Sequence, residues 1–346
     1  MKSSGIGGQA VLEGIMMKNG DRYAVAVRKP DGQIALDAQE YPGITKGRRW
    51  MEIPFLRGIF RFVDSLVLGM RCLSFSASFY EEEEEGQQPE KESFLEKKLS
   101  PEQLDKLMMG VAVAAALALS IGIFMVLPVA VAGLLRPVVS SSFGVALLEG
   151  VIRMAIFICY VALIALMKDI KRTYMYHGAE HKCINCIEHG LPLTVENVRV
   201  SSKEHKRCGT SFLLLVMVIS ILVFMVIRVD NIWLRMLSRV LLVPFIAGVA
   251  YEFIRLAGSS ENPVVNALSR PGLWLQGLTT REPEDDMIQV AIQAVEAVFD
   301  WKAYEAENFG LTFPEEAEAV SAPGAEGQPE AATATAAEPS ATEAVL

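Results

Sequence analysis

The sequence predicts a mainly α-helical, polytopic membrane protein with about four transmembrane helices and a small β-containing N-terminal cytoplasmic module. Hydrophobic residues make up 51% of the 346 positions, charged residues 21%, and the mean hydropathy is +0.31. Soluble proteins average about 25% charged residues, so this composition favours membrane-spanning sequence. A span needs about 20 apolar residues, and such stretches predict spans at 107–135, 143–167, 208–228 and 231–258.

Residues 1–50 are expected to form the β-containing module. Residues 23–27 and 33–38 alternate between apolar and polar side chains on either side of Pro30-Asp31-Gly32, which is typical of a β-hairpin. The glycine-rich segment 5–8 predicts a turn rather than a phosphate-binding loop, because no strand is predicted before it.

Residues 53–76 predict an amphipathic helix. Arg57, Arg61 and Asp64 fall on one helical stripe, and apolar side chains cover the rest of its surface. This pattern suits a helix lying on an anionic cytoplasmic leaflet, with a short re-entrant element as the alternative. The glutamate-rich residues 81–100 predict a solvated acidic linker.

The second and fourth spans contain charged residues. Glu149 and Arg153 lie one helical turn apart in the second span, and Arg235 and Arg239 lie near the start of the fourth. Charges inside a bilayer are costly and usually face other helices. We therefore expect Glu149 and the two arginines of the fourth span to form a charge cluster inside the membrane.

The topology follows from the basic residues of the short loops. Between the second and third spans, residues 168–207 carry eight cations against five acids, which predicts a cytoplasmic loop and cytoplasmic N- and C-termini. The net charge of −9 comes from residues 281–346, with 15 acids and two cations, so the first 280 residues carry +4.

The C-terminal part is expected to have two regions. Residues 259–312 predict a cytoplasmic segment containing one amphipathic helix from 285 to 301. The composition of residues 315–346 cannot build a core, which predicts a disordered acidic tail.

All four histidines of the chain lie in the predicted cytoplasmic loop, residues 168–207. Tyr176-His177-Gly178-Ala179-Glu180-His181-Lys182 matches H-x-x-E-H, the inverted zincin order. On a helix, His177 and His181 are one turn apart on the same face and can share a metal. Glu180 is then positioned to take a proton from a metal-bound water, so it is the predicted catalytic residue.

Further ligands are available later in the same loop. His205 and Cys208 offer imidazole and thiolate, the ligand types that zinc favours. The predicted ligand set is His177, His181, His205 and Cys208, holding Zn²⁺ or another divalent metal.

A structural zinc site is the alternative. Cys183 and Cys186 form C-x-x-C and, with His205 and Cys208, have the spacing of a closed zinc knob. One straight helix cannot direct both cysteines and both histidines of the motif at one ion. The cysteines can also be free thiols, since disulfides are not expected in the cytoplasm.

The chain resembles the YqhQ-like family of uncharacterised bacterial membrane proteins, whose members are often labelled as metal-dependent enzymes. The resemblance implies that the family's core motif includes His177, Glu180, His181, His205 and Cys208. It also implies that Cys183, Cys186 and His189 are not part of that motif. It rests on Gly7 to Val11, Glu13-Gly14, Met16-Met17, Tyr176 to Lys182, Leu193 to Val198, His205, Arg207 to Phe212, Gly272, Leu275-Gln276 and Leu278 to Pro283.

The leading functional hypothesis is therefore a zinc-dependent, hydrolase-like enzyme of the bacterial cytoplasmic (inner) membrane. The alternative is a non-enzymatic accessory or scaffold protein, in which the His/Cys loop is a structural metal site or a docking surface. The expected partners are the lipid bilayer and membrane proteins, with no nucleic acid. A site at the membrane surface suits a lipid-linked or membrane-peptide substrate.

Overall fold

The computed structural model describes residues 2–80, 101–139, 141–227, 229, 231–260 and 262–313. Over these residues the chain is mainly helical, with one four-stranded antiparallel sheet near the N-terminus. The linker predicted at 81–100 and the tail predicted at 315–346 lie outside the described residues.

The sheet is a simple antiparallel meander in the order of the sequence. The predicted hairpin is present as its last two strands, with Val25 opposite Asp37. The prediction of a turn at residues 5–8 is wrong for Gly7 and Gly8, which lie in the first strand. The strands are β1 (Gly7–Val11), β2 (Gly14–Asn19), β3 (Arg22–Arg28) and β4 (Ile34–Glu40).

The helices occupy most of the remaining described residues, and a five-residue π-helical segment, Gly122–Val126, joins the second to the third. A short 3-10 turn, Arg49–Glu52, precedes the first helix. The helices are α1 (Leu56–Ala77), α2 (Pro101–Ile121), α3 (Leu127–Leu134), α4 (Ser142–Ile164), α5 (Lys168–Glu188), α6 (Val195–Val200), α7 (Gly209–Val226), α8 (Ile232–Ser259), α9 (Pro263–Thr279), α10 (Asp285–Glu296) and α11 (Trp301–Phe309).

The four predicted apolar helices are confirmed as helices that are long and apolar enough to cross a membrane. Their mean hydropathies range from 1.8 to 2.7. Large apolar side chains on their surfaces are exposed, including those of Leu119, Leu222 and Leu241, at 64%, 58% and 67%. The four stretches are Leu107–Leu134, Phe143–Ile164, Gly209–Val226 and Trp233–Ser259.

The sheet is buried on both faces. Ile15 and Met17 of β2 pack in the main core with α5 and α10, whereas Met16, between them, packs on the other face against Leu68 of α1. This alternation is the period of two expected of a strand. The sheet therefore joins α1 to α5, the helix that carries the histidine motif, and to α10.

The charge cluster predicted between the apolar helices is confirmed for Glu149 and Arg239. The Glu149 carboxylate accepts hydrogen bonds from Arg153 at 2.9 Å and from Arg239 at 2.6 Å, and all three side chains are buried. Phe224 of α7 lies under both guanidinium groups. Arg235 is not part of the cluster, because its Nε donates to the Val229 carbonyl at 2.8 Å.

The amphipathic helix predicted before the first apolar helix corresponds to α1, and it packs on α8. Arg57 pairs with Glu252, with an Nε–Oε1 distance of 2.7 Å. Gly58 faces the Tyr251 side chain so closely that an added Cβ would lie 2.7 Å from it. α1 thus lies between the apolar helices and the sheet.

The single helix predicted from 285 to 301 is wrong. α10 ends at Glu296, and α11 begins at Trp301 after a four-residue break. Asp300 causes the new start, because its side chain accepts a hydrogen bond from Ala303 N at 2.9 Å, as an N-cap residue does.

Candidate metal centre

The histidine motif lies on α5, as its spacing predicts. His177 and His181 lie on one face, with ring centroids 4.4 Å apart. Between them, Gly178 lets the chain after α9 pass directly over the helix, because an added Cβ would lie 2.0 Å from the Arg281 carbonyl oxygen. The glycine therefore lets the end of α9 lie beside His177, whose Nδ1 is 2.9 Å from Thr279 O.

Cys208 enters the same space from the start of α7. It is the N-cap residue of that helix, and its Sγ accepts from Thr210 N at 3.4 Å. The Thr210 hydroxyl lies 3.1 Å from the same sulfur. The sulfur of Cys208 is therefore held at the start of α7 by contacts within the protein.

One ligand atom each from His177, His181 and Cys208 lies within 4.8 Å of the other two. The closest approach is 3.3 Å, between Nε2 of His177 and Sγ of Cys208. In a tetrahedral zinc site, bonds of about 2.3 Å to sulfur and about 2.0–2.1 Å to nitrogen place the two ligand atoms about 3.6 Å apart. The residues present therefore fit a zinc ion.

The outer nitrogens of both histidines are held by backbone carbonyls. Nδ1 of His177 lies 2.9 Å from Thr279 O, and Nδ1 of His181 lies 2.7 Å from Lys203 O. A carbonyl oxygen can only accept, so each Nδ1 carries a proton, and in the neutral form of an imidazole with this tautomer the lone pair is on Nε2. Metal-binding histidines in proteins are oriented in the same way.

Glu180 lies beside this group without belonging to it. Its side chain is buried, the Gly8 backbone hydrogen-bonds to it, and Oε2 has no hydrogen-bond partner among the described residues. Burial raises the pKa of Glu180 to about 7, against smaller opposing effects of His177 and the Gly8 hydrogen bond. The carboxyl is thus held in place, with one oxygen available.

The structure does not bring His205 into the group, although the sequence predicts it as a ligand. Its Nε2 lies 3.4 Å from Glu188 Oε2. Gln276 holds its backbone from both sides, accepting from His205 N and donating to His205 O, each at 2.8 Å. Of the four predicted ligands, the structure therefore brings together His177, His181 and Cys208.

Glu188 is a residue that the sequence reasoning missed. Its Oε1 accepts from Ser4 N at 2.7 Å, from the Ser4 hydroxyl at 2.8 Å and from Arg207 at 2.6 Å. Burial alone would raise the pKa of Glu188, but His205 and Arg207 outweigh it and lower the pKa to about 2. This carboxylate ties the N-terminus to the loop that carries Cys208.

Cys183 and Cys186 lie away from the three ligands, in the main hydrophobic core, and both are fully buried. Burial raises the pKa of Cys183 well above its usual value and that of Cys186 to about 12. The Cys186 thiol donates to the Leu191 carbonyl at 3.2 Å. This arrangement does not favour the alternative zinc knob.

His189 ends α5, and its Nδ1 bonds to the Asn185 carbonyl oxygen.

The comparisons with known proteins show the family. A family model described as "Protein of unknown function (DUF1385)" matches residues 53–301. The chain is also 34% identical over 308 residues to "Uncharacterized protein YqhQ" of Bacillus subtilis (strain 168), an alignment covering 87% of this chain and 94% of that protein. No solved structure matches. The resemblance to YqhQ-like proteins is therefore confirmed.

Proposed function

The chain belongs to the DUF1385 family of proteins of unknown function, and we propose that it is a zinc-dependent hydrolase of the bacterial cytoplasmic membrane. His177, His181 and Cys208 hold the metal in this proposal, and Glu180 acts as general base. The single observation that carries it is the pair of carbonyl contacts to Nδ1 of His177 and His181. These contacts occupy Nδ1 of each ring and leave Nε2 as the ligand atom, and Nε2 of His177 lies 3.3 Å from Cys208 Sγ.

The number of ligands favours an enzyme over a structural site. Structural zinc sites are closed by four protein ligands, whereas catalytic sites have three and keep one position open. Among the described residues, the group contains three ligating side chains. A zinc ion bound there would lower the pKa of a water in the open position to about 7.

The role of Glu180 rests on its geometry. A general base needs a free oxygen close to the proton that it removes. The Glu180 Oε2 atom is buried, and no described residue hydrogen-bonds to it. Gly8 holds the carboxyl group from the sheet side. Glu180 is therefore positioned to accept the proton of the attacking water.

The membrane location is supported by the four apolar helices and their exposed leucines. Exposed apolar surface of this extent is unfavourable in water and favourable in lipid. In the proposed topology, the loop between α4 and α7 and both termini are cytoplasmic. Because Cys208 caps the start of the apolar helix α7, the centre would lie at the membrane surface, where a lipid-linked or membrane-peptide substrate can reach it.

Cobalt substitution tests the proposal without a known substrate. Co²⁺ binds the same ligand types as Zn²⁺, and its visible spectrum reports coordination by thiolate and water. We expect a tetrahedral, thiolate-type spectrum from the wild type. Glu180→Gln should keep that spectrum and shift the midpoint of its pH dependence, because Glu180 contacts the proton that titrates.

Loss of cobalt binding in Glu180→Gln would make Glu180 a ligand and overturn its role as base. An unchanged pH midpoint would also overturn that role. Glu307→Gln, at an exposed position on α11, is the matched control and should behave like the wild type in both measurements.

A second candidate function is suggested by the contact between Cys208 and His177. A thiol 3.3 Å from an imidazole whose other nitrogen is held by Thr279 also describes an activated cysteine nucleophile. Iodoacetamide separates the two functions. Rapid alkylation of Cys208, unaffected by added Zn²⁺, would favour the nucleophile, whereas protection by stoichiometric Zn²⁺ would favour the metal centre.

A further inference from the structure

A cavity of about 500 Å³ lies at the start of α5. One wall is the chain between α9 and α10, contributed by Arg281, Glu282 and Glu284, and the other is the first two turns of α5. The metal ligands do not line this cavity.

The α5 wall is a single helical stripe. Lys168, Lys171, Arg172 and Met175 are spaced i, i+3, i+4 and i+7, which places them on one face. At 100° per residue, Met175 lies ~160° around the helix from His177. The cavity is therefore on the face of α5 opposite to the candidate metal centre.

The cavity carries an excess of positive charge. Arg172 is paired with Glu13, and Glu282 with Lys182 and Lys203.

Three cationic side chains that line the cavity have a nitrogen without a partner. Within the described part of the chain, neither Lys168 nor Lys171 has an ion-pair or hydrogen-bond partner for its amine, and the buried Nε of Arg281 has no hydrogen-bond partner. Against these three cations stands one unpaired carboxylate, Glu284. A buried unpartnered guanidinium nitrogen is unfavourable, so the cavity suits an anion with several acceptor oxygens.

The segment of chain that leads into the α5 wall is apolar, and we call it the apolar rim. It contains Leu163, Leu166 and Met167, which come shortly before Lys168 and are 66%, 77% and 56% exposed. Cationic side chains that follow exposed apolar ones along the chain are typical of the membrane interface.

We propose that this cavity binds the phosphate group of an anionic membrane lipid. Lys168, Lys171 and Arg281 contact the phosphate oxygens, and the apolar rim contacts the start of the acyl chains. A free phosphate offers the same oxygens, but it would make no use of the rim. The site is independent of the proposed metal chemistry.

Native mass spectrometry of the full-length, detergent-purified protein tests the proposal. Phosphatidylglycerol and phosphatidylcholine are added at equal concentration, and retained lipid is counted. We expect the wild type to retain phosphatidylglycerol preferentially. Lys168→Gln/Lys171→Gln should lose about thirtyfold in affinity, since each cation near a membrane surface contributes about 1 kcal/mol, a factor of about five. Arg281→Gln, which removes one cation, should lose about fivefold.

Lys302→Gln is the matched control. It removes one positive charge from α11, which does not line the cavity, and it should keep the wild-type preference. Thermal unfolding checks that the wild type and the double variant are both folded. If both are folded and retain equal amounts of lipid, the proposal is overturned. If inorganic phosphate alone binds with the same dependence on Lys168 and Lys171 and no lipid preference exists, the assignment to a lipid is overturned.

Discussion

The Nε2 atom of His177 lies 3.3 Å from the Sγ atom of Cys208, across 31 residues of chain. The segment between them is held by Lys182, whose buried amine donates to the carbonyls of Arg199 and Ser201 at 2.9 and 2.8 Å. Contacts within the protein therefore set the separation of the ligand atoms. Side chains that are ordered in this way would bind a metal at a lower ordering cost than mobile ones.

Removal of one ligand should release the metal. We expect about one zinc ion per wild-type chain, and His177→Ala and Cys208→Ala should each lose it, since two remaining ligands bind zinc far more weakly than three. Metal analysis of protein purified in detergent checks this. His189→Ala, at the end of the same helix with its Nδ1 on Asn185 O, should keep the metal.

His205→Gln distinguishes the narrowed ligand set from the one predicted by sequence. Because Nε2 of His205 faces Glu188, this variant should keep the metal. If it loses zinc as completely as Cys208→Ala while remaining folded, His205 is a ligand and the three-residue set is wrong.

Gly178→Ala should disturb the centre without touching a ligand. The added Cβ would lie 2.0 Å from Arg281 O, so the segment that presents Thr279 to His177 must move. We expect a loss of about 1–3 kcal/mol of stability and weaker zinc binding, measured by thermal unfolding and competitive chelation. Gly277→Ala, with no atom within 4 Å of its Cβ, should be neutral or stabilising.

Glu149 should be important for stability. Its replacement by Gln leaves Arg153 and Arg239 buried without their carboxylate, and breaking a buried ion pair costs about 3–5 kcal/mol. Thermal unfolding in detergent measures this. Arg235→Gln, one turn from Arg239, removes only the bond to Val229 O and should cost about 1 kcal/mol or less. Equal losses in both variants would contradict the structure.

Glu305 should make the protein less stable as pH rises. It is fully buried, neither carboxylate oxygen has a partner among the described residues, and burial raises the pKa of Glu305 to about 7. The folded state therefore holds a proton that the unfolded state releases near its usual pKa of about 4.3. This destabilisation is absent below that pH, grows up to pH 7, and is complete above it.

Glu305→Gln removes this dependence. It should match the wild type near pH 4.5 and exceed it by roughly 3–4 kcal/mol at pH 8, as measured by thermal unfolding at both values. Glu307→Gln, on an exposed face of the same helix, should follow the wild type at both. If the stability of Glu305→Gln changes with pH in parallel with that of the wild type across this range, the prediction is wrong.

The features predicted from sequence are those that depend on local pattern. Length and hydropathy alone define the four apolar helices, and the i,i+4 spacing alone places His177 and His181 on one face. The separation of Cys183 and Cys186 from those histidines also follows from helical spacing. Each of these inferences needs only the residues of one segment.

The missed features depend on distant partners. His205 has the chemistry of a ligand, but Glu188 on α5 and Gln276 on α9 turn it away from the group. Gly7 and Gly8 have low strand propensity, yet β1 forms because β2 pairs with it. Thr279 contacts His177 through its backbone carbonyl, which every residue type has, so its side chain gives no hint of this contact. The sequence pointed to Thr279 only as part of segment 278–283 of the family resemblance.

The packing of α5 has a consequence for biosynthesis. The helix contacts β1, near the N-terminus, and α10, beyond the last apolar helix, and His177 requires the carbonyl of Thr279. A nascent chain therefore cannot bring these side chains into place until residue 279 has left the ribosome. A chain truncated before α9 would leave Nδ1 of His177 without the Thr279 carbonyl.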